Sequence, residues 1–140
     1  MIKINEKSMP EHYPREFWQV WLTKPPHLSF VAVDKKSNKV LGYLLGIKQQ
    51  FNYLNANFEA ALLASIAVET RYRKLGIATN LIHAFLSAAK NAHLKLAYLH
   101  VRVSNENAQR VYRKASWQLE ILIPAYYPDG ESAYLFTRAL

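Results

Sequence analysis

The sequence predicts an α/β fold in which one mixed sheet carries helices on its faces, and three observations support this. Several short apolar stretches end in turn residues, as strands do. Two other stretches, 76–90 and 106–115, carry apolar residues at helical spacing. The elements follow one another in the order β-β-β-α-β-α-β-β, which is typical of a mixed sheet covered by helices.

The strands are predicted at 28–34, 40–47, 61–69, 96–103, 117–123 and 132–140. The first two strands form a hairpin around the polar turn KKSNK, whereas the polar and aromatic residues 49–60 are expected to form a loop. The stretch 61–69 is apolar on both faces and should be buried on both.

The helical stretches have recognisable start signals. The first is expected to bury Ile77, Leu81, Ile82, Phe85, Leu86 and Ala89. Asn105 is a good N-cap for the second, whose inward face is Ala108, Val111, Tyr112 and Ala115. Nearer the N-terminus, residues 1–8 resemble the end of a helix, and 14–22 form a short helix that Pro14 opens and Pro25-Pro26 ends.

Composition limits the function classes. A chain of 140 residues predicts a single domain over 1–140. Without cysteine it has no disulfide, thiolate zinc site or cysteine nucleophile, and its five scattered histidines predict no metal site. No apolar run reaches the ~20 residues of a membrane span, so a cytoplasmic protein is expected. The net charge of +8 favours polyanions, either a nucleic acid or ribosome surface or a small phosphorylated cofactor, although a basic solvated surface without a partner fits equally well.

The most informative segment is ETRYRKLGIATNLI, which leads from a buried strand into a helix. The first N–H groups of a helix lack internal acceptors and carry the positive end of its dipole. Gly76 allows the backbone to approach a phosphate, and Arg71, Arg73 and Lys74 add positive charge. The plainer alternative is a glycine that only turns the chain among exposed basic residues.

Two motifs in sequence order give the chain a family resemblance. RKLGIA (73–78) resembles the acetyl-CoA pyrophosphate motif of the GNAT acyltransferase superfamily, and SNENAQRVY, after a strand, resembles its second signature. The resemblance implies a GNAT fold, acetyl-CoA as cofactor and coenzyme A as product. It also implies that Asn105 bonds the pantetheine arm and that Tyr112, beside the cofactor sulfur, is the general acid.

We therefore expect the pyrophosphate on the backbone of residues 74–79 and the pantetheine between strands 61–69 and 96–103. The predicted cofactor-binding residues are Ile66, Val68, Arg73, Lys74, Leu75, Gly76, Ile77, Ala78, Thr79, Asn105 and Tyr112.

Within the superfamily the chain resembles the catalytic subunits of NatA-type and NatE-type N-terminal acetyltransferases and their archaeal relatives, over roughly 9–140. MPEHY (9–13), SIAVETRYRKLGIA (65–78), YLHVRVSNENA (98–108) and YYPDGESAYLF (126–136) carry this resemblance. It implies direct acetyl transfer, in a ternary complex, to the α-amino group of a protein N-terminus. The predicted substrate-binding residues are Met9, Pro10, Glu11, Tyr13, Tyr126 and Tyr127.

Two residues are candidates for the proton acceptor. Glu11 matches a catalytically important Glu of NatA-type enzymes, and His100 matches a His that in NatE-type enzymes takes the amine proton through water. The alternatives are a solvated loop carboxylate for Glu11, a packed strand residue for His100 and core aromatics for Tyr126 and Tyr127. NatE-type enzymes also carry a catalytic Tyr at a position that we place at Leu63, and its loss shifts weight to Glu11.

The N-terminus departs from the family, which begins with a strand and a full helix. Only eight residues precede Met9, so either the first strand and part of the first helix are absent or the chain has been shortened.

Two other functions compete. One is a GNAT enzyme for lysine side chains or small amines, against which the Tyr126-Tyr127 pair argues, because a narrow mouth suits a chain end. The other is a basic RNA- or ribosome-binding module, which would need clustered basic and aromatic residues. Expected partners are protein N-termini, including nascent chains at the ribosome, with no membrane and no nucleic acid beyond ribosomal contact. The sequence does not reveal the preferred first residue, an auxiliary subunit or the oligomeric state.

Overall fold

The computed structural model of the chain describes residues 26–73 and 75–140. In that part the strands are β1 (Phe30–Val33), β2 (Val40–Tyr53), β3 (Ala56–Val68), β4 (Leu96–Arg102), β5 (Gln118–Ile123) and β6 (Ala133–Ala139). The helices are α1 (Ile77–Asn91) and α2 (Glu106–Lys114), with a 3-10 turn at Thr70–Tyr72. The predicted helices at 1–8 and 14–22, and the question of a missing first strand, lie outside the described residues.

The described strands form one sheet in the order β1-β2-β3-β4-β6-β5. β3 and β4 are parallel, and the other neighbouring strands are antiparallel. The mixed sheet predicted from the sequence is therefore confirmed. In the part of the chain that the structure describes, neither α1 nor α2 meets the length and apolarity of a membrane span.

The prediction of a loop at 49–60 is wrong, because β2 and β3 continue through this segment as a long hairpin. They stay paired as far as Tyr53 and Ala56, and Leu54 takes a positive φ of 55° in the turn. The rings of Phe51 and Phe58 meet across the strands at 5.7 Å. Polar and aromatic residues alternate here with the period of two that a strand requires, and the polar content concealed this pattern.

Two apolar clusters lie on opposite faces of the sheet. The larger cluster packs α1 and α2 against the sheet, and its buried residues include Leu81, Ile82, Phe85, Ala89, Leu99, Tyr112, Trp117 and Phe136. The smaller cluster contains Phe51, Ala60, Tyr98 and Leu135. Since successive strand residues face opposite sides, Tyr98 and Leu99 assign the two clusters to different faces.

Helix α1 can lie close to β2 because residue 46 is glycine. A Cβ placed on Gly46 would lie 2.6 Å from a ring carbon of Phe85 and 2.5 Å from the carbonyl oxygen of Leu28. Ser29 Oγ accepts a hydrogen bond from the Gly46 N–H and donates one to its carbonyl, both at 3.1 Å. The close approach of Phe85 to Gly46 fixes the position of α1 on the sheet, and with it the helix N-terminus that belongs to the candidate site.

Candidate active site

A gap opens between the two parallel strands at the centre of the sheet. Within the described residues β3 and β4 pair at Ala61↔Ala97 and Leu62↔Tyr98, and β3 then runs on to Val68 without further pairing to β4. A β-bulge precedes the gap, because Leu45 pairs with Ser65 while Gly46 pairs with Leu63. Bulges bend the strand that contains them, so this one contributes to the separation of β3 from β4.

The backbone of β3 points hydrogen-bonding groups into this gap. The N–H of Glu69 donates to Leu41 O at 2.8 Å, on the β2 side of the strand. Because N–H groups alternate between the two edges of a strand, those of Val68 and Ile66 point the other way, toward β4. They are the two donors predicted for the pantetheine arm.

The N-terminus of α1 offers further backbone donors. Gly76 is its N-cap at φ 82°, no side chain caps the helix, and the first turn contains no acidic residue. A Cβ on Gly76 would meet nothing within 4 Å, so there is open space beside this backbone. Arg73 Nε donates to Val68 O at 3.0 Å, which fastens the basic segment to the end of β3. The arrangement fits a phosphate group on the N–H groups of the first turn.

Tyr112 extends from α2 into the larger cluster, with ring centroids 5.9 Å from Trp117 and 6.2 Å from Phe136. Burial, and secondarily the neighbouring Tyr127, raise the pKa of Tyr112 above its ordinary value of 10. The hydroxyl therefore stays protonated at neutral pH, as a proton donor must. Asn105 is confirmed as the N-cap of α2, since its Oδ1 accepts from the Ala108 N–H at 3.1 Å.

His100 lies on β4 between two tyrosine rings. Its ring stacks on that of Tyr126 at 4.6 Å and 14°, and the edge of Tyr98 meets it at 6.0 Å and 86°. Burial lowers the pKa of His100 from 6.5, so the imidazole is neutral at neutral pH and able to accept a proton. Burial also raises the pKa of Tyr98 to about 12, which keeps this neighbour uncharged.

The segment between β5 and β6, residues 124–132, is held to β4 by Arg102. Arg102 Nη1 lies 2.9 Å from Asp129 Oδ2 and 2.7 Å from Glu131 Oε1, and we call these three residues the Arg102 clamp. Its guanidinium carbon also lies 4.1 Å from the ring centroid of Tyr127. The other Glu131 oxygen accepts from the Ser104 N–H at 2.9 Å. Hydrogen bonds from Ser104 and Arg102 lower the pKa of Glu131 to about 2, so this Arg102 clamp stays charged throughout the neutral range.

Residues 1–117 match the family described as Acetyltransferase (GNAT). The chain belongs to the GNAT acetyltransferase family. Both the resemblance found in the sequence and the fold that it implied are thereby confirmed.

Named relatives within the GNAT family cover nearly the whole chain. It is 36% identical to the N-alpha-acetyltransferase of Saccharolobus solfataricus over 146 aligned positions, which cover 100% of the chain and 86% of that protein. It is 30% identical to the N-terminal acetyltransferase A complex catalytic subunit NAA10 of Arabidopsis thaliana, over 96% of the chain and 68% of that protein. The crystal structure of Ard1 from Thermoplasma volcanium matches with a TM-score of 0.85 at 26% identity, covering 100% of the chain and 88% of Ard1.

The structure brings together most of the predicted GNAT site residues that it describes. Ile66, Val68 and the 75–79 turn border the gap from β3 and α1, whereas Tyr112 lies in the larger cluster, by which α2 packs on the sheet. His100, Tyr126 and Tyr127 form one aromatic group, since Tyr126 stacks on His100 and meets the edge of Tyr127 at 5.0 Å. Five predicted residues lie outside the described part: Met9, Pro10, Glu11, Tyr13 and Lys74.

The position of the missing NatE-type tyrosine needs correction. Leu63 belongs to the larger cluster, on the helix side of the sheet. His100 lies on the same face of the sheet as Tyr98, and Leu62 packs against the smaller cluster, which contains Tyr98. Of these two leucines, Leu62 is therefore the one on the face of His100. As both are leucines, neither supplies a hydroxyl there.

Two residues near the GNAT site escaped the sequence reasoning. Arg102 contacts acidic residues 27 and 29 positions away, and only the fold brings them together. The available signal was a lone arginine at the end of the predicted strand and the Asp-Gly-Glu run within YYPDGESAYLF, whose charges had been given no partner. Tyr98 was placed on that strand, but nothing in the sequence indicated its contact with His100.

Proposed function

We propose that this GNAT protein transfers acetyl from acetyl-CoA to the α-amino group of a protein N-terminus, with residues 1–140 acting as one catalytic domain. Its acetyltransferase family and the names of its relatives support this activity and this donor. The observation that carries the proposal is the gap between β3 and β4. Backbone donors of β3 and the N-terminus of α1 border the gap on one side, and β4, which carries His100 with Tyr126 stacked on it, borders the other.

Acetyl-CoA supplies an activated thioester, and the chain supplies its position and the proton transfers. The backbone N–H groups of Ile66 and Val68 are proposed to hold the pantetheine arm, and those of 75–79 the pyrophosphate. Asn105 adds a side-chain amide at the start of α2. These groups orient the thioester toward the incoming amine. Such positioning removes a large part of the activation barrier of a bimolecular transfer.

The amine attacks the thioester carbon directly, so that a carbon–nitrogen bond forms and the carbon–sulfur bond breaks. One proton leaves the nitrogen, and one is given to the departing thiolate. Tyr112 is the proposed donor, since burial keeps its hydroxyl protonated. A peptide α-amino group has a pKa near 8, so a modest acceptor suffices, and a water between the nitrogen and a side chain can relay the proton.

Glu11 and His100 are the two proposed acceptors. Glu11 rests on the NatA-like MPEHY stretch, and we assign it the larger share because Leu62 offers His100 no hydroxyl partner. His100 rests on its surroundings: a neutral imidazole between Tyr98 and Tyr126, on the strand that borders the gap.

Chain ends are favoured over lysine side chains by the 124–132 segment. The Arg102 clamp and the hydrogen bond from Tyr127 N–H to Glu131 O (3.0 Å) hold Tyr126 and Tyr127 in place. We propose that the two tyrosines contact the first peptide units of the substrate. A cytoplasmic protein acting on nascent chains at the ribosome suits the charge of +8, which favours contact with ribosomal RNA. An enzyme for lysines or small amines is the alternative.

A peptide panel tests the proposal. Short peptides that differ at the first residue are incubated with the protein and acetyl-CoA, and mass spectrometry locates the acetyl group. Acetylation of the α-amino group is expected. The matched control has a blocked N-terminus and one internal lysine, and it should remain unmodified. Preferential modification of that lysine would establish the alternative enzyme.

A further inference from the structure

The contact between His100 and Tyr126 is a face-to-face stack, unlike the other ring contacts of this site. The interplanar angle is 14°, against 86° for Tyr98 with His100 and 85° for Tyr126 with Tyr127. A ring stacked at 4.6 Å covers one face of the imidazole and leaves no room for water there. Tyr126 is itself 45% exposed, so its outer face meets solvent.

Strained backbone places Tyr126 in this position. The preceding residue, Ala125, has a φ of 49°, in the left-handed region that disfavours residues with a Cβ. Its N–H donates to Ser132 Oγ at 3.3 Å, across the base of the loop. Non-glycine residues persist in this region only where the surrounding structure holds them, and here the Ser132 contact and the Arg102 clamp do so.

We propose that Tyr126 is a positioning residue for His100: its ring covers one face of the imidazole and excludes water, so that His100 enters the reaction as a neutral proton acceptor. This inference rests on the proposed function only in its last step, the use of His100 as an acceptor. The shielding itself is a property of the folded protein without substrate.

Two effects of the stack oppose each other. Removing water disfavours the charged imidazolium, whereas the electron-rich face of a tyrosine ring attracts a cation. Burial is the cause of the lowered pKa of His100, and no neighbouring charge among the described residues contributes. Tyr98 is uncharged at neutral pH, the paired strand residue on β6 is Leu135, and the cation Arg102 on the same face is paired with the carboxylates of Asp129 and Glu131. Loss of water therefore dominates, in agreement with the lowered pKa of His100.

The pKa of His100 measures whether the loss of water outweighs the attraction of the imidazolium to the Tyr126 ring. The imidazole protons of the five histidines are titrated by NMR in the full-length protein, and the signal missing in His100→Gln identifies His100. In Tyr126→Ala the pKa of His100 should rise toward 6.5, whereas Tyr126→Phe, which keeps the ring, should leave it unchanged. Tyr53→Ala, on the β2–β3 hairpin, is the matched control and should also leave it unchanged.

The other outcomes overturn the inference. An unchanged or lower His100 pKa in Tyr126→Ala would mean that the ring does not shield the imidazole. An equal rise in Tyr126→Phe would assign the effect to the hydroxyl. Kinetics separate this result from the proposed function. If the NMR pKa rises but the acid limb of kcat/KM does not follow it, His100 is not the acceptor, and the shielding by Tyr126 stands.

Discussion

At the scale of single residues, Tyr112 offers the simplest test of the proton donor. Tyr112→Phe removes one oxygen and retains the packing against Trp117 and Phe136. If the hydroxyl protonates the thiolate, kcat should fall by about 10²-fold or more, the usual scale of general acid catalysis. Acetyl-CoA affinity, measured by calorimetry, should change little.

Tyr53→Phe provides the control for Tyr112→Phe. Tyr53 lies on the β2–β3 hairpin and packs against the smaller cluster, on the opposite face of the sheet from Tyr112. It should leave kcat unaltered. A kcat of Tyr112→Phe equal to that of the wild type would reduce Tyr112 to a packing residue and leave the thiolate to be protonated by water.

The two acceptors differ in the pH dependence that each predicts. With Glu11 as the main acceptor, Glu11→Gln should lower kcat/KM far more than His100→Ala does. The defect should be largest below the amine pKa near 8, where the ammonium dominates and its proton must be removed. It should shrink at higher pH, where the amine is already neutral. Initial rates across pH with one peptide measure this.

The opposite assignment has its own signature. Because the pKa of His100 is lowered, its acid limb should fall below 6.5. A limb in that range that disappears in His100→Ala would give the main role to the histidine. Profiles that neither substitution alters would leave water as the acceptor and both side chains as substrate contacts.

At the scale of elements, the proposed phosphate site at the N-terminus of α1 is tested by two substitutions that differ only in charge. Asp and Asn have the same shape, and both tolerate a positive φ better than other residues with a Cβ. Gly76→Asp should abolish acetyl-CoA binding, because a carboxylate would face the phosphates, whereas Gly76→Asn should bind measurably, though more weakly. Calorimetric titration compares the two. Wild-type affinity in Gly76→Asp would mean that the cofactor site is misplaced.

The Arg102 clamp is a second test at this scale, directed at the peptide. Glu131→Gln removes a charge that pairs with Arg102 and accepts from Ser104. Without this charge the 124–132 segment holds Tyr126 and Tyr127 less firmly, so the KM for peptide should rise several-fold while acetyl-CoA affinity stays the same. Steady-state kinetics with each substrate varied in turn would show this.

The control for the clamp is Lys48→Gln, which breaks an exposed ion pair with Glu59 (3.3 Å) on the hairpin and should change neither the peptide KM nor the acetyl-CoA affinity.

The contribution of Glu131 to folding stability depends on pH with a defined sign. Since folding lowers the pKa of Glu131 from 4.5 to about 2, its stabilising contribution is complete above 4.5 and is lost as pH falls through about 2. A peptide KM that varied within the neutral range through Glu131 would contradict this.

At the scale of the whole molecule, the gap in the sheet predicts that acetyl-CoA stabilises the folded protein. A ligand at 100 times its Kd that binds only the folded state contributes about 2.7 kcal/mol, which corresponds to a rise in Tm of roughly 10 °C. Thermal melting with increasing acetyl-CoA measures the shift. Coenzyme A should also raise Tm, whereas adenosine, which lacks the phosphates, should not. No shift with acetyl-CoA would favour the binding-module alternative.

Much of the fold could be predicted because its signals are local. The apolar spacing of 77–91, the Asn105 cap and the Gly76 turn are each determined by residues a few positions apart. Most strands were located for the same reason. The hairpin at 49–60 was missed, because its cross-strand contacts, such as Phe51 with Phe58, decide between strand and loop only once the strands are paired.

By itself the sequence determined the acetyltransferase family and predicted a cofactor segment, since a phosphate loop is a run of neighbouring backbone groups that a short motif can encode. Only the tertiary structure decided what surrounds His100. It placed Leu62 rather than Leu63 on that face, stacked Tyr126 on the imidazole and brought Arg102 to Asp129 and Glu131. The physical reason is that burial and charge pairing act through space, between residues that the chain separates by more than 20 positions.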